Sequence, residues 1–380
     1  MRAFIHVQHL LGSGHAVRAA AVGKALAARG VETVLATGNQ LPPTLDTAGL
    51  TIVELPLARS PDASFSTLLD AGDRPIDDAW RQNRLASTLY SFTRTAPDIL
   101  LTETFPFGRK PFRFELLALL DAARAAPTRP VIAASIRDIL VRKASPDKER
   151  AMAEIARDRY DLVLVHSDPA FVRLEDSFPF TGMIEPLIRY TGYVHSPSTV
   201  EPPAGDGEDE VIVSCGGGPV GLALLRTALE ARPLSKAAGS RVWRVLVNQS
   251  HGRETFDRLA GMAREGFVVE ATRPDFPGLL ERCALSISQA GYNTVLDILA
   301  ASCRSVLVPF AERGETEQTQ RAMALQARGR AGLVAEDGLT PEALAKAVDA
   351  EMARSPDHHA VLAEGAERSA EILIEKAEAR

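Results

Sequence analysis

Cysteine is scarce in this chain of 380 residues: there are three, Cys215, Cys283 and Cys303, with no C-x-x-C spacing and no histidine at metal-ligand spacing beside them. That excludes a disulfide-stapled scaffold and a zinc site, and buried free thiols are expected. An excess of positive charge is also missing, since 43 basic residues stand against 49 acidic ones for a net charge of -6. Such a balance offers no field to hold a nucleic acid backbone, so no nucleic-acid partner is expected. No apolar run approaches the roughly 20 residues needed to span a bilayer. The first apolar run is broken at Gln8, Gly12 and Gly14, which is not a secretion signal. A cytoplasmic location is expected, with contact at the inner face of a membrane left open. Gly-Lys never precedes Ser or Thr, so there is no P-loop, and no Asp-x-Asp is present to hold a metal-diphosphate. No metal and no cofactor are expected.

What is present is an ordinary globular composition, 46% hydrophobic and 24% charged, over a length that implies two domains. Short β-rich runs alternate with glycine turns and Ala/Leu/Arg-rich helical stretches. Strands are expected at 3–8, 31–36, 51–55, 99–102, 131–135, 162–165 and 191–194, with helices including 16–29, 113–125 and 147–158. Residues 197–210, rich in Pro, Gly and acids, read as a linker. The pattern then restarts with strands at 211–214, 242–247, 267–269, 285–288 and 305–308. Alternation of this kind means two doubly wound α/β domains with parallel sheets. The domains are placed at 1–197 and 208–355, with a helical tail at 356–380 that could return to the first.

Ligands in such sheets bind beyond the carboxyl ends of strands, where helix N-termini present unpaired N–H groups. In the first domain that place holds Gly12, Ser13, Gly14 and His15. Val17 stands where a dinucleotide fingerprint needs its third glycine, which disfavours NAD. The positive end of the helix dipole disfavours protonation of His15, leaving a neutral imidazole that can act as a general base. In the second domain the matching turn is Cys215-Gly216-Gly217-Gly218-Pro219, a cradle of backbone amides suited to a diphosphate. The strand at 285–288 runs into Gly291, Asn293, Thr294 and Asp297, polar groups at the start of a helix, and a second polar loop leads to Glu317 and Gln318. The stretch 101–150 holds 10 basic and 6 acidic residues. Arg109, Lys110, Arg113, Arg137, Arg142 and Lys143 could receive an anionic acceptor or a lipid headgroup surface. His6, His9, His166, His195, His251, His358 and His359 have no partner at a diagnostic spacing, and structural or surface roles are expected for them.

The order of glycine turn, S-x-x-G-x-N-T-x-x-D (288–297), V-P-F (308–310) and E-Q-x-x-R-A (317–322) resembles the donor domain of GT-B glycosyltransferases, in the group that makes the lipid-linked peptidoglycan precursor. The G-S-G-H turn at 12–15 resembles that group's glycine-rich turn, and the run 102–110, with Glu103, is similar to one in predicted glycosyltransferases. The resemblance implies two Rossmann-like domains facing a cleft. It implies transfer of a sugar from a nucleotide-diphosphate donor, a UDP-sugar such as UDP-GlcNAc, to an acceptor that the sequence does not name. Under it Gly217 and Gly218 meet the diphosphate, Phe276 lies by the base, Asp297 takes the ribose hydroxyls, and Glu317 with Gln318 bind the sugar. Asp297 replaces the group's longer Glu and Glu317 the first Gln of its Q-Q pair, which leaves the sugar open. Gly12-x-Gly14-His15-x-x-Arg18 also resembles a UDP-sugar hydrolase, and a UDP-sugar 2-epimerase and a nonenzymatic nucleotide-sugar sensor share the expected fold or pocket. Glu103 and Asp138 are the other candidate bases.

Overall fold

The structure, a computed structural model, describes residues 1–10, 14–43, 45–61, 67–143, 145–195, 200–216, 220–311, 316–355 and 362–380. The chain divides into two units, one of Met1–Ser196 with Leu362–Arg380 and one of Pro197–Val361. The first holds β1 (Arg2–Val7), α1 (Gly14–Ala28), β2 (Glu32–Thr37), β3 (Leu50–Glu54), α2 (Asp78–Thr95), β4 (Ile99–Glu103), α3 (Arg113–Ala125), β5 (Val131–Arg137), α4 (Pro146–Arg159), β6 (Leu162–His166) and β7 (Ile188–Tyr190). The second holds β8 (Val211–Ser214), α5 (Leu222–Ala231), β9 (Trp243–Val247), α6 (Arg253–Met262), β10 (Phe267–Ala271), α7 (Phe276–Arg282), β11 (Leu285–Ser288), α8 (Tyr292–Ala301), β12 (Ser305–Leu307), α9 (Glu317–Ala327), β13 (Gly332–Leu333) and α10 (Pro341–Met352). The last helix, α11 (Gly365–Glu378), belongs to the first unit, where it packs on α1.

Both sheets are parallel, in the orders β3-β2-β1-β4-β5-β6-β7 and β10-β9-β8-β11-β12-β13. The order of strands reverses between β1 and β4 in one and between β8 and β11 in the other, the switch points at which open α/β sheets bind ligands.

The period-two alternation of a strand decides which side chains face which helix layer. In the first unit Leu100, Ile132, Ala134, Val163 and Val165 pack into the core that includes Phe92, Leu116, Leu119 and Ala153 from α2, α3 and α4. On the opposite face Ile99 and Leu101, Val131 and Ala133, and Leu162 and Leu164 pack with Ala19, Val22 and Leu26 of α1 and Ala370 and Leu373 of α11. One more step along each of those three ladders reaches Glu103, Ser135 and His166. The alternation that builds the α1 side of the core therefore delivers three polar side chains to one place. Beyond β1, a buried ion pair between Arg84 of α2 and Glu115 of α3 (2.7 Å) holds those helices in place, with Gln8 and Thr88 bonded to it.

Two expectations are corrected. The last strand of the first unit is Ile188–Tyr190 rather than 191–194. Gly192 leaves the strand at φ +79° and lies so close to Leu362 that a Cβ would sit 2.8 Å from its carbonyl oxygen, and Val194 keeps only one bridge, to Glu364. The described part of the acidic stretch, 200–210, is built into the second unit. Arg244 donates to Glu210 (2.7 and 3.0 Å), to Glu270 (2.8 Å) and to Asp206 (3.1 Å), while Arg273 donates to Asp206 (2.5 Å).

Candidate functional site

In the first unit the site forms where α1 begins beside the end of β4. His15 Nδ1 lies 2.9 Å from Glu103 Oε1, and Arg18, one turn further along α1, pairs with the same oxygen. Glu103 and Arg18 are buried, whereas the imidazole keeps 20% of its side-chain surface exposed. Burial alone would raise the Glu103 carboxyl, but the charge of Arg18 and the bonds from His15 and Arg18 outweigh it and hold it below the usual carboxylate range. His15 is lowered as well, but by burial first: the bond to Glu103 works against that, and Arg109 and Arg18 add to it. The pair at neutral pH is thus a carboxylate and a neutral imidazole. An ionised carboxylate only accepts hydrogen bonds, so the 2.9 Å contact is best made with the proton on Nδ1; Arg18 Nη2, 3.1 Å from the same nitrogen, then gives its hydrogen to Glu103 Oε1 and not to the ring. The lone pair is then on Nε2.

The loop after β4 completes the arrangement. Thr104, a β-branched residue at φ +71°, turns the chain so that its hydroxyl lies 3.1 Å from His15 Nδ1 and 3.2 Å from Glu103 Oε1. Arg109, also left-handed at φ +59°, has a buried Nε with no hydrogen-bond partner among the described residues. Burial lowers its pKa to about 10, Glu103 opposes this, and Arg137 and Arg18 reinforce it. Arg18 and Arg109 thus both feel the Glu103 carboxylate, and Arg137 lies near Arg109. Behind Glu103, Ser135 donates to its Oε2 (2.5 Å), His166 Nε2 lies 2.9 Å from Ser135 Oγ, and His166 Nδ1 lies 2.8 Å from Thr191 Oγ1.

At the second unit's switch point the groups are of another kind. Gly216, at φ +70°, follows β8; its N–H donates to Ser214 Oγ (3.2 Å) and its carbonyl accepts from Asn248 (3.3 Å). A Cβ on Gly216 would lie 3.4 Å from Thr294 Oγ1, and one on Gly291 3.9 Å from the same atom, so the turn after β8 and the start of α8 converge on the Thr294 hydroxyl. Asn293 is exposed in the first turn of α8, and Asp297 is half-buried in the second. Phe276 opens α7, which packs against α8.

Gln318 and Glu317 have structural partners. The Gln318 carbonyl accepts the N–H groups of Ala290 and Phe310 (3.1 Å each), which ties together the loops after β11 and β12. Glu317 is buried and pairs with Arg321 (2.7 Å), which also donates to the Ala290 carbonyl (2.7 Å). Gly12, Ser13, Gly217, Gly218, His358 and His359 lie outside the described residues. Of the basic group, Arg142 pairs with Glu149 (2.9 Å), and Arg109 feels the charges of both Glu103 and Arg137.

Ser135, His166 and Thr191 were not singled out by sequence, and Arg18 only as part of a motif. A signal was there: I-x-L-x-E, V-x-A-x-S and L-x-L-x-H each end an apolar alternation in a polar residue at the carboxyl end of a buried parallel strand.

The profile of the glycosyltransferase family 28 C-terminal domain matches residues 228–375. The segment 228–375 is thus similar to a family 28 glycosyltransferase C-terminal domain. It contains Phe276, Gly291, Thr294, Asp297 and Gln318, while Gly216 and His15 precede it. Over 149 residues the chain is 28% identical to the UDP-N-acetylglucosamine–N-acetylmuramyl-(pentapeptide) pyrophosphoryl-undecaprenol N-acetylglucosamine transferase of Syntrophotalea carbinolica, covering 38% of this chain and 41% of that one. Over 90 residues it is 38% identical to the enzyme of the same name from Rhodospirillum centenum, covering 22% and 24%. The match thus spans about two-fifths or less of the length of these curated relatives. Among solved structures, the calicheamicin glycosyltransferase CalG4 covers 99% of this chain and 95% of its own at a TM-score of 0.62 and 15% identity. MurG of Acinetobacter baumannii covers 100% and 98% at 0.59 and 14%. These likenesses place the fold in the GT-B class, two Rossmann-like parallel-sheet units, as expected from sequence.

Proposed function

We propose that this chain is a metal-independent glycosyltransferase that takes a sugar from a nucleoside-diphosphate donor, with His15 as the base. The observation that carries the reading is a match to a family 28 C-terminal domain in one chain with a histidine whose Nδ1 is committed to a buried carboxylate. In the step proposed, His15 Nε2 takes the proton of an acceptor hydroxyl as its oxygen bonds to the anomeric carbon. The bond from that carbon to the diphosphate oxygen breaks, and the nucleoside diphosphate leaves with the electron pair. Glu103 stabilises the imidazolium that forms, as a carboxylate does behind a catalytic histidine.

The donor belongs to the second unit, with Asp297 as the ribose partner, the Gly216–Gly218 turn and the start of α8 at the diphosphate, Phe276 by the base, and Gln318 and Glu317 toward the sugar. A UDP-sugar is the donor favoured, in keeping with the names of the curated relatives. Arg109 near Glu103, with Arg137 near Arg109, favours an acceptor with an anionic group, a lipid-linked diphosphate being one such, and a cytoplasmic enzyme working at the membrane face would fit it. Among the described residues no helix is long and apolar enough to cross a membrane.

The test is release of UDP from a panel of UDP-sugars by the purified chain, with and without candidate hydroxyl acceptors and with excess EDTA. Acceptor-dependent release that survives EDTA is expected. Release equal without an acceptor would make the chain a hydrolase, binding without release a sensor, and rescue of an EDTA loss by Mg²⁺ would refute the metal-free mechanism.

A further inference from the structure

We infer that Ser135 and His166 are positioning residues, a second layer that holds Glu103 in the orientation that commits His15 to its Nδ1–H form. The inference rests on the proposed reading for its catalytic meaning, and on hydrogen-bond bookkeeping for the chain of contacts itself. Glu103 is an ionised carboxylate and accepts only, so the single hydroxyl proton of Ser135 goes to Oε2 at 2.5 Å. Having given that proton, Ser135 Oγ can only accept from His166 Nε2 at 2.9 Å, which therefore carries a hydrogen. His166 is fully buried and burial pushes its pKa well below the usual range, so the ring is neutral and Nδ1 carries a lone pair; the Thr191 hydroxyl, 2.8 Å from that nitrogen and 2.8 Å from the Gly192 carbonyl, gives its one proton to the ring. Every bond then points the same way: Thr191 to His166, His166 to Ser135, Ser135 to Glu103. His15 donates to the other oxygen from the opposite side.

The members come from the carboxyl ends of β4, β5 and β6 and the residue after β7, so the chain runs across four adjacent strands and ends at the imidazole. A carboxylate with both oxygens saturated cannot rotate without leaving a buried donor unpaired. The titratable and charged groups that face Glu103 are His15 and Arg18 from α1, Arg109 from the loop after β4, and His166 from β6, with Arg137 of β5 acting through Arg109.

The consequence is that the two histidines are opposite tautomers, His15 with its proton on Nδ1 and His166 on Nε2. Ring-nitrogen NMR of the full chain labelled with ¹⁵N-histidine reads this directly, with each ring assigned by its loss in His15→Gln and His166→Gln. In Ser135→Ala the His15 ring should exchange between tautomers and titrate about one pH unit higher, because the carboxylate beside it has lost a donor and the pair binds a proton more readily. Ser135→Thr, which keeps the hydroxyl, should restore the wild-type ring, and His166→Gln, which keeps an N–H for Ser135, should disturb the His15 ring less than His166→Leu. A residue of merely structural importance would lower stability without moving the tautomer. Identical tautomers in the wild type would overturn the inference, as would a folded Ser135→Ala whose His15 ring is unchanged. Should the variants not fold, the wild-type assignments alone decide. No substrate enters the measurement: full turnover in His15→Ala would remove the base and leave this chain of bonds standing, while a His166 proton found on Nδ1 beside a His15 proton on Nδ1 would remove the chain and leave the base.

Discussion

In the first unit the strand order reverses between β1 and β4, and beyond those strands stand His15, Arg18 and Glu103. In the second it reverses between β8 and β11, and beyond those stand Gly216, Gly291 and Thr294. The topology is repeated and the chemistry is not. One switch point gathers ionisable side chains that fix one another's protonation; the other brings two glycines together at a single hydroxyl, that of Thr294. A proton-transfer site needs displaced pKa values, and a diphosphate site needs close backbone approach, so the difference divides the proposed reaction between the units.

The sharpest way to break that division is His15→Ala. If the first unit handles the proton and the second holds the donor, turnover should fall by roughly 10²- to 10⁴-fold while UDP affinity by calorimetry stays within about twofold. A joint loss of affinity and turnover would make His15 a donor contact, and the base would then be sought at Glu103 or Asp138.

The complementary change is Asp297→Ala in α8. A carboxylate that accepts ribose hydroxyl bonds is worth about 1.5–3 kcal/mol, so UDP affinity should weaken by roughly 10- to 150-fold. The His15 ring titration should not move. Unchanged UDP binding in a folded variant would shift the donor site away from this helix.

The two units also differ in how much of them could be read in the sequence. In the second, turn glycines and the run 288–297 carry the pattern locally, and the strand limits at 211–214 and 285–288 coincide with β8 and β11. In the first, His15 was legible because it follows a glycine turn at a helix start. Glu103, Ser135 and His166 are spaced by about thirty residues each and meet only because parallel register aligns the ends of β4, β5 and β6. Proximity of that kind is a property of the sheet order, which no local spacing encodes. The partners of Gln318 were hidden for a similar reason, since the Ala290 and Phe310 amides reach it only once α9 is docked on the strand ends, whereas Glu317 and Arg321 are one turn apart on α9 itself.

A further expected effect concerns acid. His15 and His166, both in the first unit, have pKa values held below the ordinary 6.5, burial being the largest cause for each. The displaced carboxylates Asp206, Asp275 and Asp349 of the second unit lie below 3.8 instead. A depressed folded-state pKa means that the unfolded chain binds the proton first as pH falls. The histidine contribution is therefore complete above pH 6.5 and declines below it, whereas those carboxylates begin to cost stability only below about pH 4. For His166, which is fully buried, the decline is about 1.4 kcal/mol per pH unit at most. Between pH 6.5 and about 4 the first unit should lose protection against amide exchange in β4, β5 and β6, after correction for intrinsic rates, while β8, β9 and β11 keep theirs. His166→Gln should flatten the dependence, since the carboxamide does not titrate. Equal loss in both units, or an unaltered slope in that variant, would mean that the buried histidines do not set the acid response of the first unit.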